Sequence, residues 1–199
     1  MERRRQETRA KLLTATLEQM SEKGIAGTTL DDITDAADLS RRTFYYHFAS
    51  KEECLVAAAA SAYEKHSRKV KNMFSQGEDP AIVFAKASQF VMKRLLAEPI
   101  TRVLSGKPKL LVQTLNHSIG PYVGADIQAG ILSGRFKPIV EGRALTTTMM
   151  WSLVGLVVDS SEREIDIEYE LEQYASLCLL ILGLEREEIG KLLSQISKQ

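Results

Sequence analysis

Residues 28–55 read TTLDDITDAADLSRRTFYYHFASKEECL, and the spacing of their capping and apolar residues decides the fold. Thr29 can cap a short helix, with Asp32 three residues on in the manner of a capping box and Leu30, Ile33 and Ala37 forming its buried stripe. Ser40 is the next cap and opens a second short helix. Ser50 and Glu53 form a further capping box, from which a long alanine-rich helix is predicted over 51–75.

Successive helical residues turn by about 100°, so Phe44 and Phe48 share a face that Leu39 helps to close. Arg42 and Tyr46 then lie across from Phe44, with Thr43 and Tyr45 on the flanks and Arg41 nearer the buried edge. Arg42 could be an ordinary solvated residue and the tyrosines could pack on a neighbouring helix. Against this stands the arrangement of a short helix, a tight turn, and a second short helix whose outward N-terminal positions carry Arg41 and Arg42. A recognition helix reads base edges from there. An arginine fork donates two hydrogen bonds to guanine O6 and N7, worth roughly 1–3 kcal/mol of discrimination. Tyrosine and threonine hydroxyls can hold phosphates, and their apolar parts can touch thymine methyls.

Upstream, Ala10, Leu13, Leu17 and Met20 form one stripe of a first helix that ends at Gly24, where a left-handed turn is easily accommodated. Downstream, apolar residues recur at spacings of three and four, without sustained strand alternation. Loops are predicted near Gly24 to Thr29, Gln76 to Pro80, Glu98 to Pro108, Gly120 and Pro121, Gly134 to Pro138, and Asp159 to Asp166. An all-α protein follows.

The stretch 28–55 resembles the helix-turn-helix signature of the TetR (tetracycline repressor-like) family of bacterial transcription regulators. Threonine before the second helix, isoleucine within it, the AADLS turn, TFYYHF and SKEE fall in order without gaps. The resemblance implies an N-terminal three-helix DNA-binding domain over 1–50. It also implies a C-terminal helical ligand-binding and dimerisation domain over 51–199, the two joined by the long helix. It assigns Arg41, Arg42 and Tyr45 to bases, Thr29, Thr43, His47 and Lys51 to phosphates, and Tyr46 to a further backbone contact. Helical geometry alone places His47 beside the Phe44 face, as a packed histidine. Two positions depart from the family pattern: Asp38 stands where glycine is frequent in the turn, and Arg42 where a small residue is frequent. Aspartate tolerates a left-handed backbone, and Arg42 gives the helix a longer reach. The basic start, with Arg3, Arg4 and Arg5, is either a minor-groove arm or a solvated terminus.

In the second domain, GRALTTTMMWSLVGLVVDS (142–160) and IEYELEQYASLCLLILGL (167–184) are apolar around most of their circumference, as expected for helices buried on several sides. In the latter, Leu171, Tyr174, Cys178 and Ile181 form one stripe and Leu177, Leu180 and Leu184 another; sequence leaves open which faces a partner. The family arrangement implies a twofold dimer through a four-helix interface, with Leu153, Leu156, Leu177, Leu180, Ile181 and Leu184 as candidates. Such a dimer places its recognition helices about 34–36 Å apart on a palindromic operator. The segments 80–99 and 109–136 are candidate cavity-forming material for the small-molecule effector that the family implies. His66, Asn116, His117 and Trp151 are candidates for lining it, although each could equally be a structural residue.

Composition limits the other function classes. The 199 residues carry 26 basic and 26 acidic side chains, a formal balance of zero, which disfavours non-specific DNA packaging. An enzyme is the other rival, but the three histidines lack metal-ligand spacing, SGKPKLL is not a phosphate loop, and no serine or cysteine has an evident base. No metal or cofactor is expected. Two distant cysteines argue for a reducing compartment. With no signal peptide or apolar span in view, a cytoplasmic location without membrane insertion is expected.

Overall fold

The computed structural model describes residues 2–73, 77–140 and 142–197, and the side chains of all of these except 70–73. Eleven helices and no strand occur among the described residues. They are α1 (Glu2–Gly27), α2 (Leu30–Ala37), α3 (Arg41–His47), α4 (Lys51–Met73), α5 (Pro80–Ala97), α6 (Pro99–Ser105), α7 (Pro108–Ser118), α8 (Gly120–Leu132), α9 (Gly142–Glu162), α10 (Ile167–Ile181) and α11 (Arg186–Ile196).

Local chemistry sets the N-terminal boundaries. The right-handed path of α1 breaks at Gly24 (φ 73°) before a last turn to Gly27, where the glycine bears no Cβ to oppose that conformation. Thr28, fully buried, ties this turn back by donating to the Gly24 carbonyl at 2.8 Å. The Thr29–Asp32 capping box forms: the Asp32 amide donates to Thr29 Oγ1 at 3.1 Å, and the Thr29 amide to Asp32 Oδ2 at 2.7 Å. Asp38 ends α2 in the left-handed region (φ 53°, ψ 51°), so aspartate does take the turn position often held by glycine. Ser40 accepts from the Thr43 amide, and Ser50 from the Glu53 amide, both at 3.1 Å. Glu53 reaches back to the Ala49 amide at 2.7 Å rather than to that of Ser50.

Phe44 (fully buried), Phe48, Ile33, Leu12 and Met20 close the core of the first three helices, and burying a side chain of Phe44's size stabilises by about 1.5–3 kcal/mol. Helix α4 packs on α1 at one end and on α7 and α5 further along, while α6 also touches α1. Buried Tyr63 on α4 shares a 2.8 Å hydrogen bond with Thr101 on α6. The first three helices and the C-terminal helices thus meet along α4 and at the α1–α6 contact.

Three sequence-based loop boundaries move. Residues 99–105 form α6, Gly120 and Pro121 open α8, and α9 runs on to Glu162. Pro80, Pro99, Pro108 and Pro121 each fall within the first two positions of a helix, where the missing N–H costs nothing and the fixed φ suits the helix. These prolines start helices rather than interrupt them.

Candidate functional site

The seven residues of α3 divide as the helical angles require. Phe44 is buried, whereas Tyr45 and Tyr46 are 60% and 71% exposed and Arg42 is exposed. Arg42 enters no ion pair or hydrogen bond among the described residues. Arg41 differs: its guanidinium makes a two-pronged contact with the Asp31 carboxylate of α2. That contact holds the Asp31 carboxyl below its ordinary value, with the hydrogen bond from Arg41 as the main cause. Thr43 is half-buried, its hydroxyl 2.9 Å from that of Ser40, and Thr29 is exposed beside its capping partner.

Lys51 is placed otherwise than a free phosphate ligand would be. Its ammonium donates to the carbonyls of Ile25 at 2.8 Å and Thr28 at 2.7 Å, closing the α1–α2 junction and leaving one of three N–H groups uncommitted to them. The basic start also departs from an extended arm, because Arg3, Arg4 and Arg5 belong to the first turns of α1. An Arg3–Glu7 pair at 2.9 Å and a bond from Thr8 Oγ1 to the Arg4 carbonyl at 2.9 Å support that helix. Arg5 stacks over the Tyr46 ring at 5.9 Å, and Arg9 over Phe48 at 5.2 Å. His47 is half-buried beneath this layer, and burial, followed by Arg5 and Arg9, lowers its pKa from the usual histidine value.

A cavity of about 340 Å³ lies in the C-terminal helices, within the range of small-molecule sites. Val83, Phe84, Val91 and Met92 of α5 form one wall, Tyr122 and Asp126 of α8 another, and Met150, Leu153 and Tyr174 of α9 and α10 complete it. Ser67 of α4 reaches it from the helix that follows α3. The Tyr174 hydroxyl donates to the Met149 carbonyl at 3.2 Å, and burial drives its pKa well up.

None of His66, Asn116, His117 and Trp151 lines this cavity. His66 donates through Nε2 to Glu98 at 2.8 Å, and His117 donates through Nδ1 to the Gln113 carbonyl one turn back at 2.7 Å. Asn116 is exposed, as is Trp151 at 45%. Each carries a polar or amphipathic group, but helix rotation directs that group away from the cavity or spends it on a neighbour. The segments expected to form the cavity do contribute, through residues 83–92 and 119–126. Ser67 gives no sequence signal, because one serine on a mixed helix is indistinguishable from a solvated one.

Among the described residues no group of three or more His, Cys, Asp or Glu is placed to hold a metal ion. Burial pushes the Cys54 thiol up to about 11 and the Cys178 thiol to about 12, which leaves neither as a ready thiolate nucleophile.

Residues 12–58 match the model of the bacterial regulatory proteins of the tetR family. They contain α2 and α3 entire, with the caps, the left-handed turn and the outward arginine described above. Over these residues the chain is similar to the TetR family. It is 34% identical over 98 residues to the HTH-type transcriptional regulator TtgR of Pseudomonas putida, covering 49% of this chain and 47% of TtgR. It is 39% identical over 46 residues to the probable acrEF/envCD operon repressor of Escherichia coli, covering 23% of this chain and 21% of that one. The chain therefore spans half or less of the length of these curated relatives. The likeness to a solved structure is longer: RolR in complex with resorcinol has a TM-score of 0.80 at 25% identity, over 96% of this chain and 95% of RolR.

The candidate dimer residues separate into three groups. Leu153 and Leu184 are buried, at 3% and 5% exposure, and Leu153 lines the cavity; both belong to the core of one chain. Leu156, Leu180 and Ile181 are half-buried, and Leu177 is 42% exposed. On α9 the exposed stripe is instead Ala144, Thr148, Trp151 and Gly155, a helical spacing of four, three and four. Sequence could not rank these positions, because α9 is apolar on every side. No helix among the described residues is long and apolar enough to cross a membrane.

Proposed function

We propose that this chain is a cytoplasmic, homodimeric transcriptional regulator that binds a palindromic operator through α3 and changes its operator affinity when a small molecule occupies the cavity. The observation that carries the reading is the division of α3: a buried Phe44 fixes the helix, Arg42 is presented to solvent uncommitted, and Tyr45 and Tyr46 are 60% and 71% exposed beside it. Arg41, Arg42 and Tyr45 face bases; Thr29, Thr43, Tyr46, His47 and the remaining N–H of Lys51 face phosphates. The relatives named as a regulator and as a repressor support repression, and the resorcinol complex of RolR supports a small-molecule effector. The dimer forms through the exposed stripes of α9 and α10, around Trp151, Gly155 and Leu177, with the N-terminal unit ending near residue 50. Because α4 joins recognition unit and cavity, a ligand that favours one tilt of α4 favours one spacing of the paired α3 helices.

Selection from random duplex DNA tests this directly. Enrichment of a palindrome with half-sites one helical turn apart is expected, with binding that weakens steeply in salt. Uniform, purely salt-dependent retention of all sequences would replace the regulator with a packaging protein.

The His47 assignment has its own signature. In the free protein its imidazole is held below its ordinary value, so it is mostly neutral at pH 7. A phosphate beside it stabilises the imidazolium, which makes the pKa higher in the complex than in the free chain. Operator binding then takes up protons, and affinity rises as pH falls from about 7.5 to 6 at constant ionic strength. Anisotropy titrations across that range should show the rise, and His47→Gln should flatten it. A wild-type profile already flat would return His47 to a packing role.

A further inference from the structure

The cavity, taken as the effector site proposed above, has a lining that specifies the kind of molecule it accepts. Ser67 is 4% exposed, and its Oγ reaches no hydrogen-bond partner among the described residues. Other helical serines satisfy themselves on the preceding turn: Ser118 bonds the Thr114 carbonyl at 2.7 Å and Ser88 the Ala85 carbonyl at 3.0 Å. Ser67 does not, and its side chain borders the cavity. Buried hydroxyls are ordinarily paired, so the unpaired hydroxyl of Ser67 indicates that something else pairs with it.

The remaining lining limits what that is. Among the described residues no Lys, Arg or His lines the cavity, whereas the Asp126 carboxylate does. An anion would lose its water and find no cation among the described lining residues, which disfavours carboxylates and phosphates. The volume of about 340 Å³ lies at the low end of the range for small-molecule sites, which suits a small ligand. Phe84, braced edge-on by Phe136 at 6.2 Å, faces a lining that also contains Met92 and Met150; thioether sulfur contacts aromatic rings favourably. We propose that the effector is a small, uncharged ring compound bearing a hydroxyl group, and that Ser67 is the residue that pairs with that hydroxyl. Ser67 stands on α4 itself, on the order of 24 Å along the helix from Lys51 at 1.5 Å per residue. The hydrogen bond therefore pulls directly on the helix that follows the recognition unit, and an apolar ring alone does not.

Calorimetric titration of the full chain with resorcinol, 3-methylphenol, toluene, benzoate and octanoate tests the proposal. Both phenols are expected to bind about two- to tenfold more tightly than toluene, the scale of one net hydrogen bond, with benzoate and octanoate binding weakest. Ser67→Ala is expected to reduce the phenols to the level of toluene while leaving toluene unchanged. The unliganded variant should melt at or above the wild-type temperature, because an unpaired buried hydroxyl has been removed. Phenol preference that survives in Ser67→Ala overturns the role of Ser67, and benzoate or octanoate binding more tightly than the phenols overturns the ligand class. The wild-type ratio of 3-methylphenol to toluene decides the hydroxyl requirement without any variant. Operator selection on ligand-free protein is read separately: its failure removes the regulator reading and leaves the binding ratios intact, whereas equal binding of phenol and toluene by a protein that selects an operator removes only this inference.

Discussion

Replacing Arg42 by alanine is expected to lower affinity for the selected operator by roughly 1–3 kcal/mol per half-site, about five- to 150-fold, and to do so twice in a dimer. Arg42 is exposed and uncommitted, so the substitution breaks nothing within the chain and stability should be unchanged. The loss should also be specific: anisotropy titrations against operators varied one base pair at a time should show preference disappearing at one position of each half-site. Thr43→Ala is the proper contrast, since the loss of the phosphate contact proposed for it should weaken all sequences alike. Lys51→Ala cannot serve for this purpose, because its ammonium also holds the Ile25 and Thr28 carbonyls, and its removal mixes DNA affinity with the integrity of the α1–α2 junction. Arg41, proposed as a second base contact, is placed differently. It must release the Asp31 carboxylate before reaching a base, although an exposed pair exchanges partners readily. An Arg42→Ala protein with unchanged affinity and unchanged preference would make Arg42 a solvated surface residue.

The recognition unit is legible in the sequence because its determinants are local. Thr29, Ser40 and Ser50 act within one helical turn, and the Phe44–Phe48 spacing fixes which side of α3 is outward regardless of the rest of the chain. The cavity is not legible, for the opposite reason. Trp151 and Leu153 stand two positions apart on α9, and a helix apolar on every side has no stripe to say that the leucine points inward and the tryptophan outward. Ser67 is buried only because of how other helices lie across α4 at that level, a fact of tertiary packing. The basic start misleads in another way. Arg3, Arg4 and Arg5 look like an arm by charge, but Glu2 and Glu7 supply the helix-compatible partners that extend α1 through them. Charge pattern alone cannot separate a flexible arm from an exposed helical turn.

Gly183→Ala, in the turn between α10 and α11, is expected to be strongly destabilising and to weaken ligand binding with it. Gly183 has φ of +91°, and a Cβ there would lie 2.0 Å from the carbonyl oxygen of Lys137. The neighbouring stretch of chain cannot easily retreat. The Lys137 amide donates to the Leu182 carbonyl at 2.9 Å, the Ile139 amide to the Ile181 carbonyl at 3.0 Å, and Arg135 is anchored to Asp79 and Glu188 at 2.7 Å each. Between these anchors Phe136 is buried against Gly130 and against Phe84 of the cavity wall. The methyl group must therefore break the two backbone bonds or displace Phe136. Left-handed strain of about 1–2 kcal/mol, added to backbone groups left unpaired at roughly 1–3 kcal/mol each, gives a loss of about 3 kcal/mol or more. For a chain of this length that lowers Tm by on the order of 6–12 °C. Gly134→Ala separates strain from collision: Gly134 also has a positive φ, +74°, but nothing lies within 4 Å of its added Cβ, so only the strain applies and Tm falls by a few degrees. Thermal unfolding of both variants decides the matter. Equal melting temperatures would mean that the 135–139 segment yields freely, and phenol binding in Gly183→Ala would then match the wild type; a larger fall in Gly183→Ala, with weaker phenol binding, would show that this segment holds the Phe84 wall of the cavity in place.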